Sequence, residues 1–282
     1  MVMRMSTRRI TLPCGETVPA LGQGTWNIGD DPARRAAEIA SLRRGLDLGL
    51  TLVDTAEMYG DGRSERLIGE AIAGRRDEVF LVSKVYPHNA SKRSMAASCE
   101  ASLKRLNTDR IDLYLLHWPG SVPLAETVQA FEALQRDGKI RHWGVSNFDL
   151  RKMKSLHALP GGTAVQANQV LYHLGERGIE WELAPWQRER GVPVMAYSPT
   201  DQGRLLRDPG LASFAVRTGR TAAQVALAWL LAREAIVIPK TGHAARVEEN
   251  AAALDKPLTA EELHELDALF PPPDGPGALA ML

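Results

Sequence analysis

Eight short apolar runs recur along the chain, with segments of helical spacing between them. They cover 19–26, 50–54, 79–84, 111–117, 140–145, 164–169, 193–198 and 235–240. Strands alternating with helices imply βαβ units and a parallel sheet. Eight such units with no Pro/Gly-rich linker predict one α/β domain over 1–282, a single (β/α)8 TIM barrel. An open doubly wound sheet is the rival arrangement. Helix signals fall where the barrel needs them. Asp31 caps and Pro32 starts a helix whose apolar positions are Ile39, Leu42 and Leu46, and Gly49 stops it. Thr221 with Gln224, and Thr259 with Glu262, have capping-box spacing. The opening "RRITLPCGETVPA" reads as an N-terminal β-hairpin that plugs the barrel floor, and the C-terminal tail "PPPDGPGALAML" as irregular chain.

Composition narrows the function classes. Thirty-four basic and thirty-four acidic residues cancel, so the balance offers no footprint for nucleic acid or an anionic membrane. No run reaches the ~18 apolar residues of a membrane span. The first residues lack the apolar stretch of a secretory signal. With Cys14 and Cys99 the only cysteines, the reading is a cytoplasmic protein. Cys99 shares the helical stripe of Met95, Leu103 and Leu106, which makes it a packed core thiol. None of the seven histidines falls in a His-x-His or His-Glu-x-x-His pattern, so no metal site is expected. "GQGTWN" at 22–27 begins like a dinucleotide fingerprint, but Asn27 stands at its third glycine position and no helix opens there.

In a barrel, chemistry gathers at the C-terminal ends of the strands. Here seven of those ends carry polar residues: Asp54, Lys84, His117, Ser146-Asn147, Gln169, Tyr197-Ser198 and Lys240-Thr241. Each alone is satisfied by a cap, a turn or a snorkelling lysine; the set points to a site at the mouth. The stretch "VDTAEMYG" places Tyr59 just past the second strand. A nearby ammonium stabilises phenolate, so Lys84 is expected to lower the Tyr59 pKa from ~10. Asp54 is expected to hold Lys84 charged, and His117 to orient the same substrate oxygen. Four such groups form a proton donor aimed at an oxygen that becomes an alkoxide. No activated Ser or Cys nucleophile accompanies them. A carbonyl that accepts hydride from a cofactor fits best.

With Asp54, Tyr59, Lys84 and His117 in order on consecutive strand ends, the chain resembles the aldo-keto reductase superfamily. The motifs "GQGTW", "VDTAEMYG", "LVSKVYP", "LYLLHWPG", "GVSNF", "NQV", "AYSP" and "IPK" spread the resemblance over nearly the whole sequence. Its nearest look is to short bacterial reductases of methylglyoxal and other aldehydes. The resemblance implies an NADP(H)-dependent enzyme with the cofactor extended across the mouth. Ser146, Asn147 and Gln169 would hold the nicotinamide carboxamide, and Tyr197 would stack on its ring. Thr25 and Asp54 would approach its ribose and Ser198 the pyrophosphate, with Gly24 and Trp26 also at the cofactor. Lys240, Thr241 and Arg246 would surround a 2′-phosphate, with Glu249 and Asn250 at adenine. That charge favours NADPH, with NADH the less favoured possibility. Trp26, Met58, Tyr59, Tyr86, His117 and Trp118 would form the substrate pocket. Trp143, Trp181, Trp186 and Trp229 lie off the motifs and are read as structural. The chain after "AYSP" is short, which implies that no long cofactor-clamping loop is present. The implied partner is a small carbonyl compound and the implied state a monomer; the substrate's identity is not legible. A cofactor-binding regulatory protein on the same fold, with little turnover, is the alternative.

Overall fold

The computed structural model describes residues 8–282. It opens with an antiparallel pair, β1 (Arg9–Thr11) and β2 (Thr17–Pro19). Eight parallel strands follow: β3 (Gln23–Gly24), β4 (Leu52–Asp54), β5 (Phe80–Val85), β6 (Ile111–Leu116), β7 (Ile140–Ser146), β8 (Asn168–Leu171), β9 (Val194–Tyr197) and β10 (Ile236–Val237). Each pairs with the next in chain order. The two ends of the row also meet, through parallel bridges Leu21–Val237 and Gly24–Lys240. There Gly22 N–H donates to Val237 O at 2.8 Å and Gly24 N–H to Pro239 O at 3.0 Å. The sheet is therefore closed, not open. Closure explains Gly24, because a Cβ there would stand 2.8 Å from the Ile238 carbonyl oxygen.

Helices α1 (Arg35–Asp47), α2 (Arg63–Ala71), α3 (Lys92–Leu106), α4 (Leu124–Arg136), α5 (Leu150–His157) and α6 (Leu183–Glu189) each follow one strand. After β9 come two, α7 (Pro209–Arg217) and α8 (Ala222–Ala232); after β10 come α9 (Ala244–Ala251) and α10 (Ala260–Leu269). Both capping boxes form, Thr221 with Gln224 and Thr259 with Glu262. Asp31 does cap Ala33 N, but through a 3₁₀ turn over Pro32–Arg34 that leads into α1.

Strand alternation divides the core in two. On β6, Leu113 and Leu115 enter the barrel interior, whereas Tyr114 and Leu116 face the helices. Leu12 and Val18 of the hairpin pack into the interior cluster with Leu52, Val82 and Met195, so the hairpin does plug the floor. Cys99 is fully buried, and that burial pushes its thiol up to about 12. Residues 271–282 have no helix or strand, as the Pro/Gly-rich tail predicts. Among the described residues no helix is long and apolar enough to cross a membrane.

Several strands are shorter than the apolar runs suggest. The run at 19–26 yields only Gln23–Gly24, because Pro19 pairs in the hairpin. The run at 235–240 yields Ile236–Val237, ending before Pro239, which has no N–H to donate. The run at 164–169 begins in a 3₁₀ turn, so β8 starts at Asn168 and extends to Leu171.

Candidate active site

The C-terminal strand ends bring the four expected side chains together. Lys84 on β5 is fully buried and makes three hydrogen bonds from its ammonium. They run to Asp54 Oδ2 at 2.8 Å, to the Thr55 carbonyl at 2.8 Å and to the Tyr59 hydroxyl at 3.1 Å. Three donors meet three acceptors, which fixes where the charge points. Asp54 is held from behind, since Gln169 Nε2 donates to its Oδ1 at 2.8 Å. The His117 ring meets the Tyr59 ring edge-on, with centroids 5.9 Å apart. Asn147 Nδ2 fixes the His117 carbonyl at 3.2 Å.

Charge and burial then set the proton states. Burial works against the Lys84 ammonium, but Asp54 and Tyr59 outweigh it, and its pKa lies above the ordinary 10.5. His117 is pushed down to about 2 by burial and by the Lys84 charge. It is a neutral imidazole, and its buried Nδ1 has no hydrogen-bond partner. A bare lone pair there costs less than an unmade buried N–H, so the hydrogen belongs on Nε2. Tyr59 corrects the expectation from sequence. Its pKa is raised above 10.0, because burial outweighs the lowering by Lys84. A charge-only argument omits the desolvation that appears once the hydroxyl sits among protein atoms. Tyr59 thus keeps its proton at neutral pH, and the Lys84 ammonium is placed to stabilise a phenolate should that proton leave. One result follows for pH dependence. Turnover should show no inflection near the usual histidine value of ~6.5, because His117 does not titrate there. A pH–rate profile with such a step, absent from His117→Gln, would refute the neutral assignment.

The rim residues form a connected set. Ser146 Oγ donates to Gln169 O at 2.8 Å, and Tyr197 Oη donates to Asn147 Oδ1 at 3.0 Å. Asn147 and Ser198 hold φ of 59° and 49°, left-handed values rare outside glycine and characteristic of functional loops. Thr25 is wholly buried; its hydroxyl donates to Asp54 O at 2.8 Å and accepts from Ser64. The segment after β10 presents exposed Lys240 and Arg246 around the start of α9, with Thr241 and Glu249 half-buried and Asn250 buried. Partial desolvation of its ammonium and the neighbouring Arg34 lower the Lys240 pKa, against the opposing pull of Glu38 and Asp30. Arg34 is a third cation here that sequence reading missed, because it arrives from the far end of the chain. Between β9 and α7 lie only 3₁₀ turns, Asp201–Gly203 and Leu205–Arg207, so the loop is short.

Aromatic rings line one side of the mouth. Trp118 packs on His117 at 4.8 Å and edge-on against Tyr86 at 5.8 Å. Trp26 and Met58 are 44% and 40% exposed, and no aromatic contact joins Trp26 to this wall. Trp143 and Trp229 are core residues, whereas Trp181, assigned to structure, is 50% exposed. Glu57, present in "VDTAEMYG" but given no role, accepts from Tyr86 N at 2.7 Å, Asn89 Nδ2 at 3.3 Å and Ser98 Oγ. It ties the loop of Tyr59 to the loop of Tyr86 in the aromatic wall. Its place between Asp54 and Tyr59 was the only sequence signal for it.

Comparison with known proteins agrees with this geometry. A model of the Aldo/keto reductase family matches residues 20–270. Methylglyoxal reductase YeaE of Escherichia coli is 50% identical over 284 residues, covering 99% of this chain and 100% of the relative. Glyoxal reductase of Bacillus subtilis is 34% identical, covering 92% of each chain. A solved aldo/keto reductase from Klebsiella pneumoniae, in complex with NADP and acetate, has a TM-score of 0.95 at 48% identity, over 98% of this chain and 100% of that one. The family match spans nearly the whole length and the fold is shared with a solved member, so the chain belongs to the aldo/keto reductase family.

Proposed function

We infer that the chain reduces small aldehydes and ketones to alcohols, drawing hydride from NADPH, with Tyr59 as the proton donor. The observation that carries this reading is the line of hydrogen bonds Gln169–Asp54–Lys84–Tyr59 beside a neutral His117. Bound NADPH supplies a hydride to the carbonyl carbon. The oxygen then takes the Tyr59 proton, while His117 Nε2–H orients it and Lys84 stabilises the tyrosinate. Aldehyde and proton-plus-hydride become alcohol, and solvent reprotonates Tyr59.

The donor set fits the cofactor. Asn147, Ser146 and Gln169 present amide and hydroxyl groups suited to a carboxamide, and half-buried Tyr197 lies beside Asn147 for stacking. Lys240 and Arg246 at the α9 start offer charge to a 2′-phosphate, the basis for preferring NADPH over NADH. Thr25 takes its place here as a support for Asp54, whose chain it braces, and Gly24 is assigned to the cofactor side of the mouth. Ser198 is assigned to the pyrophosphate, Thr241 to the 2′-phosphate, Glu249 and Asn250 to adenine. All four tetrad residues come from one chain, so a monomer suffices.

The names of the relatives direct the first substrate, methylglyoxal. Mixing the protein with NADPH and methylglyoxal should consume cofactor and form one alcohol per NADPH. No consumption across a panel of aldehydes and ketones with either cofactor would overturn the reading and favour the non-catalytic alternative. Within that panel, Trp118→Ala should reorder the aldehydes while cofactor affinity stays nearly constant. An unchanged order in folded protein would return Trp118 to a packing role.

A further inference from the structure

The barrel floor, at the opposite end from the mouth, gathers a second set of reactive side chains. The β1–β2 turn is tight: Leu12 N–H donates to Glu16 O and Gly15 N–H to Leu12 O, both at 2.8 Å, with Gly15 at φ 87°. Cys14 N–H is fastened to Gln166 Oε1 at 2.9 Å. This turn presents Cys14 and Glu16 to His142, near the start of β7. His142 Nε2 lies 3.8 Å from Cys14 Sγ and 2.7 Å from Glu16 Oε2. One ligating atom from each of the three residues falls within 4.8 Å of the others.

We propose that Cys14, Glu16 and His142 bind one divalent cation of the zinc class, with water completing a tetrahedron. Zinc–sulfur and zinc–nitrogen bonds of ~2.3 and ~2.0 Å set a tetrahedral S···N separation of about 3.5 Å. The observed 3.8 Å needs almost no movement. The Glu16–His142 contact must open by roughly half an ångström, within reach of side-chain rotation. Thiolate and carboxylate together neutralise the dication, and sulfur with imidazole nitrogen selects a borderline-soft metal over magnesium or calcium. Arg141 contacts Glu16 Oε2 at 2.9 Å but also Asp112 at 3.0 Å, so it keeps a carboxylate when Glu16 turns to metal. An ordinary Glu–His pair explains two of the three residues and leaves the converging cysteine unexplained. Local spacing hides the site, since His142 lies 126 residues from Glu16. Bound metal would clamp the hairpin plug to β7.

Cobalt(II) titrated into the full chain tests this, because thiolate ligation gives a near-ultraviolet charge-transfer band. The expected result is a band saturating at one equivalent, bleached by zinc, with a higher melting temperature in zinc. Cys14→Ser should abolish the band, and His142→Gln should weaken cobalt binding by more than about tenfold, since even losing a group behind a ligand costs that much. Carbonyl reduction without added metal should be unchanged in both. No band, or one that survives in Cys14→Ser, overturns the proposal; Cys99 is buried and cannot substitute. Should Cys14→Ser fail to fold, Glu16→Gln reads the same loss of affinity, and unaltered cobalt binding in it overturns the proposal equally.

Discussion

Tyr59→Phe is expected to lower carbonyl reduction by roughly 10²–10⁴ while NADPH binding and folding survive, the usual worth of a positioned acid. Phenylalanine keeps the ring that packs against His117 and removes only the hydroxyl that Lys84 contacts at 3.1 Å. Cofactor fluorescence titration and steady-state rates with one aldehyde separate the two effects. Near-normal turnover would remove Tyr59 from the chemistry. Lys84→Met should also cripple turnover, and it should cost stability, about 3–5 kcal/mol, because it strands a buried Asp54 carboxylate. Asp54→Asn should act in the same direction but less, since it loosens the ammonium without removing it. The double variant Tyr59→Phe/Lys84→Met should be little slower than the slower single variant, as groups acting as one unit are non-additive. Fully multiplicative losses would mean that the two residues act independently.

What was legible in the sequence depended on how far each feature is set by its own neighbourhood. Barrel topology was legible because eight strand periods and their caps are local signals, and right-handed crossovers leave few ways to join them. The gathering of Asp54, Tyr59, Lys84 and His117 at the mouth was legible because polar residues at the ends of apolar strands have little structural reason to be there. Strand lengths were less so: Pro19 and Pro239 shift boundaries by pairing or by failing to pair, which apolar content does not report. The sign of the Tyr59 shift was not legible, since desolvation depends on which distant strands close over the hydroxyl. Arg34, Glu57 and the Cys14–Glu16–His142 cluster escaped for the same reason, each being defined by contacts across the fold.

The charge around α9 yields the second large effect. Replacing Lys240 and Arg246 together with neutral residues should weaken NADPH binding and leave NADH nearly untouched. Each lost charge-assisted contact is worth ~1.5–3 kcal/mol, so the pair corresponds to roughly 10²–10⁴ in affinity. Exposure of both side chains argues for the lower half of that range. Arg34 stands close to Lys240 in this corner. Arg34 lowers the Lys240 pKa, and its guanidinium stands against Gly242, where a Cβ would lie 3.2 Å from its Nη2. Glu38 and Asp30 partly offset these charges, and a bound 2′-phosphate would add an anion that Lys240 and Arg34 could both meet. Arg34→Ala added to the double variant should therefore remove a further part of the NADPH preference, even though Arg34 also pairs with Glu38 at 3.9 Å. The gap between NADPH and NADH should narrow with rising salt in the wild type and change little in the triple variant. Equal losses for both cofactors would show that these side chains support the fold of the α9 segment, and the 2′-phosphate would have to be held elsewhere.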